Sequence, residues 1–181
     1  TGFINSGNAN LNIRPFNATR AINLGSQLAG TLSITQGMLD QILSSGLLTL
    51  GSLTQTAGMT IGGGFDVSAA GNQLSLLTSG SITDSGAQLI TADSLSITTG
   101  GDIGSAADAI DISSSDVTLN ITVPGNMDLQ NTGDITLSNI DTTDGYIAIN
   151  SSGQLNAIDV QSGNNNNINL TANAIAVDFI N

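Results

Sequence analysis

The sequence lacks Cys, Lys, Glu, His and Trp entirely, and it contains one Tyr and four Phe. Without Cys, the small folds that depend on disulfides are excluded. Because aromatic residues make up only 3% of the chain, the core must be built from Leu, Ile and Val. Lys and Glu, which are common helix-forming residues on protein surfaces, are also absent. This composition predicts an all-β protein.

Positive charge is also scarce, since two Arg oppose fourteen Asp and give a formal net charge of −12. Such a chain repels phosphates and offers no counterion release, which excludes nucleic acid as a partner. No apolar run approaches the roughly 20 residues that a membrane span needs, so no span is predicted. Polysaccharide lyases need a base and cationic groups. Because the chain has no Lys or His and both Arg lie near the amino terminus, lyase chemistry is a poor fit.

Ser, Thr, Asn, Asp and Gly fill the polar positions, and the apolar residues between them repeat. A template with two apolar residues at alternate positions, a Gly four residues after the second, and another apolar residue two further on occurs in four copies. They are Leu74, Leu76, Gly80, Ile82; Leu95, Ile97, Gly101, Ile103; Met127, Leu129, Gly133, Ile135; and Ile147, Ile149, Gly153, Leu155. Their starts differ by 21, 32 and 20 residues, which predicts a period near 21 with one enlarged coil near 104–124.

Alternating apolar residues within each copy indicate short strands with one buried face. A constant spacing of the repeats along the chain is typical of strands wound as stacked coils and not of a meander. We therefore predict a right-handed parallel β-helix (β-solenoid) of about 8 coils of roughly 21 residues. Residues 1–181 are expected to form a single domain, with less regular coils in 1–52 and regular coils in 53–181. The twelve apolar template residues are expected at equivalent inward positions. A brief helical turn is expected within Gly37–Leu43.

A resemblance emerges in the first third of the chain. It rests on Arg20-Ala-Ile22-Asn-Leu24-Gly25, Gly30-Thr-Leu32-Ser-Ile34-Thr35, Leu39-Asp40-Gln41-Ile42 and Leu48-Thr-Leu50-Gly51-Ser52. This succession resembles repeats of bacterial exoproteins of the filamentous-haemagglutinin type. The resemblance implies an exported adhesin whose shaft is a parallel β-helix, and hence an extracellular or cell-surface location. The Asn-Pro-containing motifs of that family's export domain are missing, so the chain corresponds to shaft.

Three acidic or glycine-rich turns are candidate cation sites. Gly62–Asp66 is similar to the calcium-binding nonapeptide, but it occurs once and Ser68 replaces the apolar anchor. Asp141 with Asp144, and Asp108 with Asp111, bring two carboxylates close, yet no loop supplies six ligands. Ordinary surface turns are therefore favoured, and no metal or cofactor site is predicted.

Among the enzymatic alternatives, a glycoside hydrolase needs the fewest catalytic residues. It requires two carboxylates about 5–9.5 Å apart, and coils stacked at about 4.8 Å could supply them from Asp102 and Asp134. Both residues directly precede the last apolar residue of their template copy. Sugar subsites usually include aromatic platforms, which this chain can hardly build, and Tyr146 is expected to be a lone exposed residue. No catalytic residue is predicted.

The function predicted from the sequence is that of a non-catalytic structural or adhesive rod. Its expected partners are neighbouring coils or copies of itself end to end, with a surface receptor or glycan as a further possibility. The alternatives are a self-assembling extracellular filament subunit and a glycan-binding or glycan-hydrolysing module using paired Asp. Residues 174–181 alternate like one more strand, so the chain is expected to be part of a longer rod or a unit that stacks.

Overall fold

In the computed structural model, which describes residues 2–180 apart from the side chain of Ala69, the chain is a β-solenoid of about 6 turns with almost no helix. The strands are β1 (Ile4–Gly7), β2 (Leu11–Ile13), β3 (Ile22–Gly25), β4 (Leu32–Thr35), β5 (Ile42–Ser44), β6 (Leu48–Ser52), β7 (Met59–Ile61), β8 (Phe65–Asp66), β9 (Gln73–Thr78), β10 (Ile82–Asp84), β11 (Ile90–Thr91), β12 (Ser94–Thr99), β13 (Ile110–Ser113), β14 (Asp116–Pro124), β15 (Met127–Asn131), β16 (Ile135–Asp144), β17 (Ile147–Ser151), β18 (Gln154–Ala157), β19 (Val160–Ser162), β20 (Ile168–Thr171) and β21 (Ala174–Val177). All named strands pair in parallel, as the repeat predicts.

A nine-stranded sheet forms one long face of the solenoid, which we call face 1. Its main path runs through β2, β6, β9, β12, β14, β16, β18 and β21. Leu95 pairs with Leu74, 21 positions earlier, and with Val117, 22 positions later. Each strand therefore stacks on its equivalent about 4.8 Å away. One resulting column contains Leu11, Leu48, Leu74, Leu95, Val117, Leu137, Ala157 and Val177.

A four-stranded and a six-stranded sheet form the other long face, which we call face 2. The four-stranded sheet has the order β10-β7-β3-β4, and the six-stranded sheet the order β20-β17-β15-β13-β11-β8. Ile103 joins them, because it bridges in parallel to both Ile82 and Met127. A continuous column follows from these pairings: Leu32, Ile22, Met59, Ile82, Ile103, Met127, Ile147 and Ile168.

The predicted enlarged coil is wrong, because the template occurs on both faces. Leu95 lies on face 1, whereas Met127 lies on face 2, so their spacing of 32 residues does not measure one turn. The turn from Leu95 to Val117 contains only 22 residues. A short surface loop at 105–109, closed by paired backbone hydrogen bonds between Ser105 and Asp108, accounts for the local irregularity.

The number of coils is also smaller than the 8 predicted, since about 6 turns are present. The difference arises in the first third of the chain, where the period near 21 does not hold. Leu11 pairs with Leu48, 37 positions later, and between them the chain forms the adjacent parallel strands β3 and β4.

The predicted core is confirmed, because all twelve apolar residues of the template copies are at most 2% exposed. They belong to one cluster of buried apolar side chains that runs from Ile22 to Val160. Burying each Leu, Ile or Met side chain contributes about 1.5–3 kcal/mol. Their positions are not all equivalent, however, since they divide between the two faces.

Buried hydroxyls mark the end of several face 1 strands. Thr78 donates to the carbonyl oxygen of Ala57 at 2.8 Å, and Thr142 donates to that of Gly125 at 2.7 Å. Thr99 is fully buried and donates to Gly101 at 2.6 Å. Each hydroxyl thus satisfies a backbone acceptor where the chain leaves the sheet, which allows a polar side chain inside the solenoid.

The predicted helical turn is confirmed as a single turn, α1 (Gln36–Leu39), shifted by one residue from its expected start. Leu39 is buried, and Ile42 lies in β5. The side chain of Gln36 accepts from the backbone N–H of Asp66 at 2.8 Å and donates to its carbonyl at 2.9 Å. These bonds cover the edge of β8. No helix in residues 2–180 is long and apolar enough to cross a membrane.

Candidate functional site: the acidic turns

Asp102 and Asp134 occupy different corners of the solenoid. The residue after Asp102 bridges to Met127 on face 2, whereas the residue after Asp134 pairs with Leu155 on face 1. The two carboxylates therefore do not lie together on one face, as the hydrolase alternative requires. Asp102 Oδ1 accepts from the N–H of Asn126 at 2.7 Å, and Asp134 Oδ1 from that of Gln154 at 2.8 Å. Each carboxylate caps a backbone amide of the next coil.

A cluster of acids lies where surface loops leave face 2. Asp84 ends β10, and its carboxylate accepts from the N–H of Ser85 at 2.6 Å and of Gln88 at 3.3 Å. Asp108, in the next coil, accepts from the N–H of Gly86 at 3.1 Å. The two loops are thus joined by a carboxylate–amide bond between coils.

Burial and like charge act together in this cluster. Burial raises the pKa of Asp84, and the charge of Asp108 adds to the rise while backbone N–H groups oppose it. Burial also raises the pKa of Asp111, again with a contribution from Asp108. Protonation of these carboxyls at acidic pH would relieve the repulsion between them.

The turns considered as cation sites are explained by contacts within the protein. Within residues 2–180, no group of three or more acidic side chains has an arrangement suited to a metal ion. Asp144 accepts from the side-chain amide of Asn166 at 2.7 Å, and Asp66 accepts from the N–H of Ser68 at 2.8 Å. The bond from Ser68 to Asp66 lies within one polar turn, whereas the bond from Asn166 to Asp144 joins residues 22 positions apart.

Gly62 and Gly63 allow close packing of neighbouring coils. Gly25 has a φ of +81°, and a Cβ atom there would lie 2.0 Å from the carbonyl oxygen of Gly63. A Cβ on Gly62 would meet the side chain of Asn23 at 2.6 Å. Only residues without a side chain allow the two backbones to approach this closely.

Tyr146 is partly buried, so the prediction of a lone exposed residue is wrong. Its hydroxyl donates to Asp128 Oδ2 at 2.6 Å, and Asp128 is itself only 5% exposed. The hydrogen bond to Asp128 raises the pKa of Tyr146 to about 12, with further contributions from burial and from the charges of Asp128 and Asp102. The pair is a link between adjacent coils.

We expect the single Tyr to titrate near pH 12, and Asp128→Asn to return its midpoint toward 10. Absorbance at alkaline pH reports Tyr146 alone, because the chain has no other Tyr and no Trp. Above its ordinary pKa the phenol ionises first in the unfolded chain, so the stability from this bond should fall as pH rises from about 10 to 12. A midpoint near 10 in the unmodified protein would contradict the hydrogen bond.

Shallow depressions are present, and one of about 220 Å³ includes two acids, Asp93 and Asp134. One of about 420 Å³ is lined by Arg14, Pro15, Phe16, Ala18, Ser52, Thr54 and Gln55. Another, of about 400 Å³, lies along the last strands of face 1 and includes Asp134, Gln154 and Ile175. Asp134 is the only acid in the linings of these two larger depressions, and it already caps Gln154.

The outer surface of face 1 is a polar plane. One column on successive strands carries Thr49, Ser75, Ser96, Thr118 and Asn139 in register, and all of them except the buried Ser75 are at least partly exposed. The next outward column carries Gly51, Leu77, Thr98, Asn120, Asp141 and Gln161. This plane presents hydroxyl and amide groups in register, interrupted by Leu77 and the buried Gly51, and it includes the carboxylate of Asp141.

Sequence reasoning missed the buried polar residues at the turns. The position two residues before the template Gly holds Thr78, Thr99, Asn131 and Ser151, and all four are buried. Their invariably polar character at a fixed distance from Gly was the available signal. These side chains bond to backbone carbonyls at the turns, as Ser151 does to Gly133 at 2.6 Å.

No family model matches the chain, and neither a curated protein nor a solved structure matches it significantly. The similarity to filamentous-haemagglutinin repeats therefore rests on the sequence motifs of residues 20–52.

Proposed function

We propose that this chain is a structural or adhesive rod segment of a secreted or cell-surface bacterial protein and that it performs no catalysis. The observation that carries the proposal is the continuity of the stack. The same columns of side chains run through every turn of both faces, from Leu11 to Val177 on face 1 and from Leu32 to Ile168 on face 2. A continuous stack of this kind forms a long and stiff structure, and these are the properties that a shaft requires.

The roles of the acids support a structural interpretation. Asp102, Asp134 and Asp108 each accept a backbone N–H from a neighbouring coil, and Asp128 accepts the hydroxyl of Tyr146. A carboxylate held in this way is satisfied by the fold itself. The hydrolase alternative loses its main argument, since Asp102 and Asp134 lie on different faces.

The polar plane of face 1 is the surface we favour for contact with a receptor or glycan. It offers Ser, Thr and Asn side chains in register, and these can donate and accept hydrogen bonds. A net charge of −12 keeps such a rod away from acidic polymers, which favours neutral partners. The extracellular location follows from the resemblance of residues 20–52 to exported adhesins.

Incubation with a panel of neutral and acidic polysaccharides tests the proposal. We expect no new reducing ends and no unsaturated products from the unmodified chain. The matched variants are Asp102→Asn and Asp134→Asn, because each removes a carboxylate while an amide of similar shape remains. Product release by the unmodified protein that either substitution abolishes would overturn the rod in favour of a hydrolase.

A further inference from the structure

Four Asn residues of the chain stand in the sequence Asn-X-Ser/Thr, the sequon at which a sugar can be attached to an Asn side chain. The four sequons are Asn17-Ala18-Thr19, Asn120-Ile121-Thr122, Asn150-Ser151-Ser152 and Asn169-Leu170-Thr171. The fold places Asn17 in a surface turn and the other three Asn residues in strands. The four sites therefore share a sequence pattern but differ in backbone conformation.

Asn17 lies in the exposed turn that connects β2 with β3. Its Oδ1 accepts from the backbone N–H of Thr19 at 3.0 Å and from Thr19 Oγ1 at 2.9 Å. The carbonyl oxygen of Asn17 accepts from the N–H of Arg20 at 3.0 Å, and that of Ala18 accepts from the N–H of Thr56 in the next coil at 2.9 Å. The turn is thus held in place while the side chain of Asn17 remains exposed.

The two hydrogen bonds to Oδ1 of Asn17 favour reaction at its amide nitrogen. A sugar is attached at Nδ2, which must lose a proton in the reaction. Donors on Oδ1 stabilise the imidate form of the amide, in which the negative charge lies mainly on that oxygen. The hydroxyl and the N–H of Thr19 therefore prepare Nδ2 for attack on a sugar donor.

The three sequons in strands have a different geometry. Asn120 lies in β14, which is paired on both sides, and Thr122 Oγ1 donates to the carbonyl oxygen of Thr99 at 3.0 Å. Asn150 lies in β17 and Asn169 in β20, and both are as exposed in class as Asn17. In a strand the Ser or Thr lies about 6.6 Å further along the chain, so it does not close a turn on the Asn side chain. Exposure alone therefore does not select the acceptor, whereas backbone conformation does.

Charge distinguishes the same site. Both cations of the chain flank Asn17, with Arg14 three residues before it and Arg20 three residues after it, and both are exposed. The other three sequons lie within residues 66–181, which contain thirteen Asp and no cation. Activated sugars carry an anionic phosphate leaving group, so the field of this surface attracts the donor to Asn17 and repels it from the other sites.

We propose that Asn17 is an acceptor for N-linked glycosylation in the folded protein and that the three sequons in strands are not. A transferase joins Nδ2 of Asn17 to the anomeric carbon of a sugar from a sugar–diphosphate donor. The bond between that carbon and the phosphate oxygen breaks, the phosphate keeps the bonding electrons, and the Nδ2 proton passes to a base of the transferase. The attached glycan stands at the side of the rod, on the turn between face 1 and face 2.

Peptide mass spectrometry of the protein purified from the cells that produce it tests the site. We expect the peptide that contains Asn17 to carry a sugar and the peptides with the three strand sequons to be unmodified. Thr19→Ala should abolish the modification and Thr19→Ser should retain it, because Ser keeps the hydroxyl. The matched control Thr171→Ala alters a strand sequon and should change nothing. An unmodified Asn17 in the native protein would overturn this inference and leave the rod function standing.

Transfer in vitro separates the effect of the fold from that of the sequence. The folded chain, and four synthetic peptides that each contain one sequon, are incubated with a sequon-specific N-glycosyltransferase and UDP-glucose. We expect all four peptides to accept a hexose, whereas the folded chain accepts a single hexose, at Asn17. Equal modification of Asn17 and the strand sequons in the folded chain, or a folded chain that accepts no hexose at Asn17, would contradict the proposal.

Discussion

Replacing Ile97 by Asp should destabilise the protein by about 4 kcal/mol or more, the largest effect expected of a single core substitution. Ile97 is fully buried on face 1, where it pairs with Leu76 on one side and Leu119 on the other. A carboxylate at this position has apolar neighbours above and below. It must either lose its charge or open the stack.

Chemical denaturation followed by circular dichroism measures this effect, with Ser96→Asp as the matched control. Ser96 adjoins Ile97 but faces outward between Ser75 and Thr118, so its substitution should change the free energy of unfolding by less than about 1 kcal/mol. Similar small losses in both variants would show that Ile97 does not lie in a close-packed column.

Gly25→Ala should destabilise the protein by about 3 kcal/mol or more. Gly25 combines two demands that a methyl group violates: its φ is +81°, and an added Cβ would lie 2.0 Å from the backbone oxygen of Gly63. The atom in the way is main chain in the neighbouring coil. Relief of the overlap therefore requires separation of the two coils, which weakens the pairing of β3 with β7.

The control variant Gly133→Ala separates the cost of backbone strain from the cost of steric overlap with a neighbouring coil. Gly133 has a φ of +98°, yet nothing lies within 4 Å of an added Cβ. Its substitution should cost only the strain, about 1 kcal/mol. Thermal or chemical unfolding of the two variants side by side gives the difference, and equal losses would mean that the close approach of Gly25 and Gly63 contributes nothing.

The candidate sites show which features the local sequence could predict and which it could not. That Asp102 and Asp134 sit at turns follows from the template, but their separation onto two faces does not. Neither Asp84 beside Asp108 nor Tyr146 beside Asp128 could be paired from the sequence. In each case the partner is about one coil away, and its identity depends on the exact number of residues in the intervening turns.

The sequence by itself determined the all-β class, the parallel stacking with a period near 21 and the burial of the alternating apolar residues, because these depend on local alternation and on repetition. Only the tertiary structure decided which copies stack on which. Leu95 and Met127 fit the same template, yet hydrogen bonding between coils puts one on face 1 and the other on face 2. The physical reason is that both faces of a flattened coil require the same inward alternation, so the apolar pattern alone does not distinguish them.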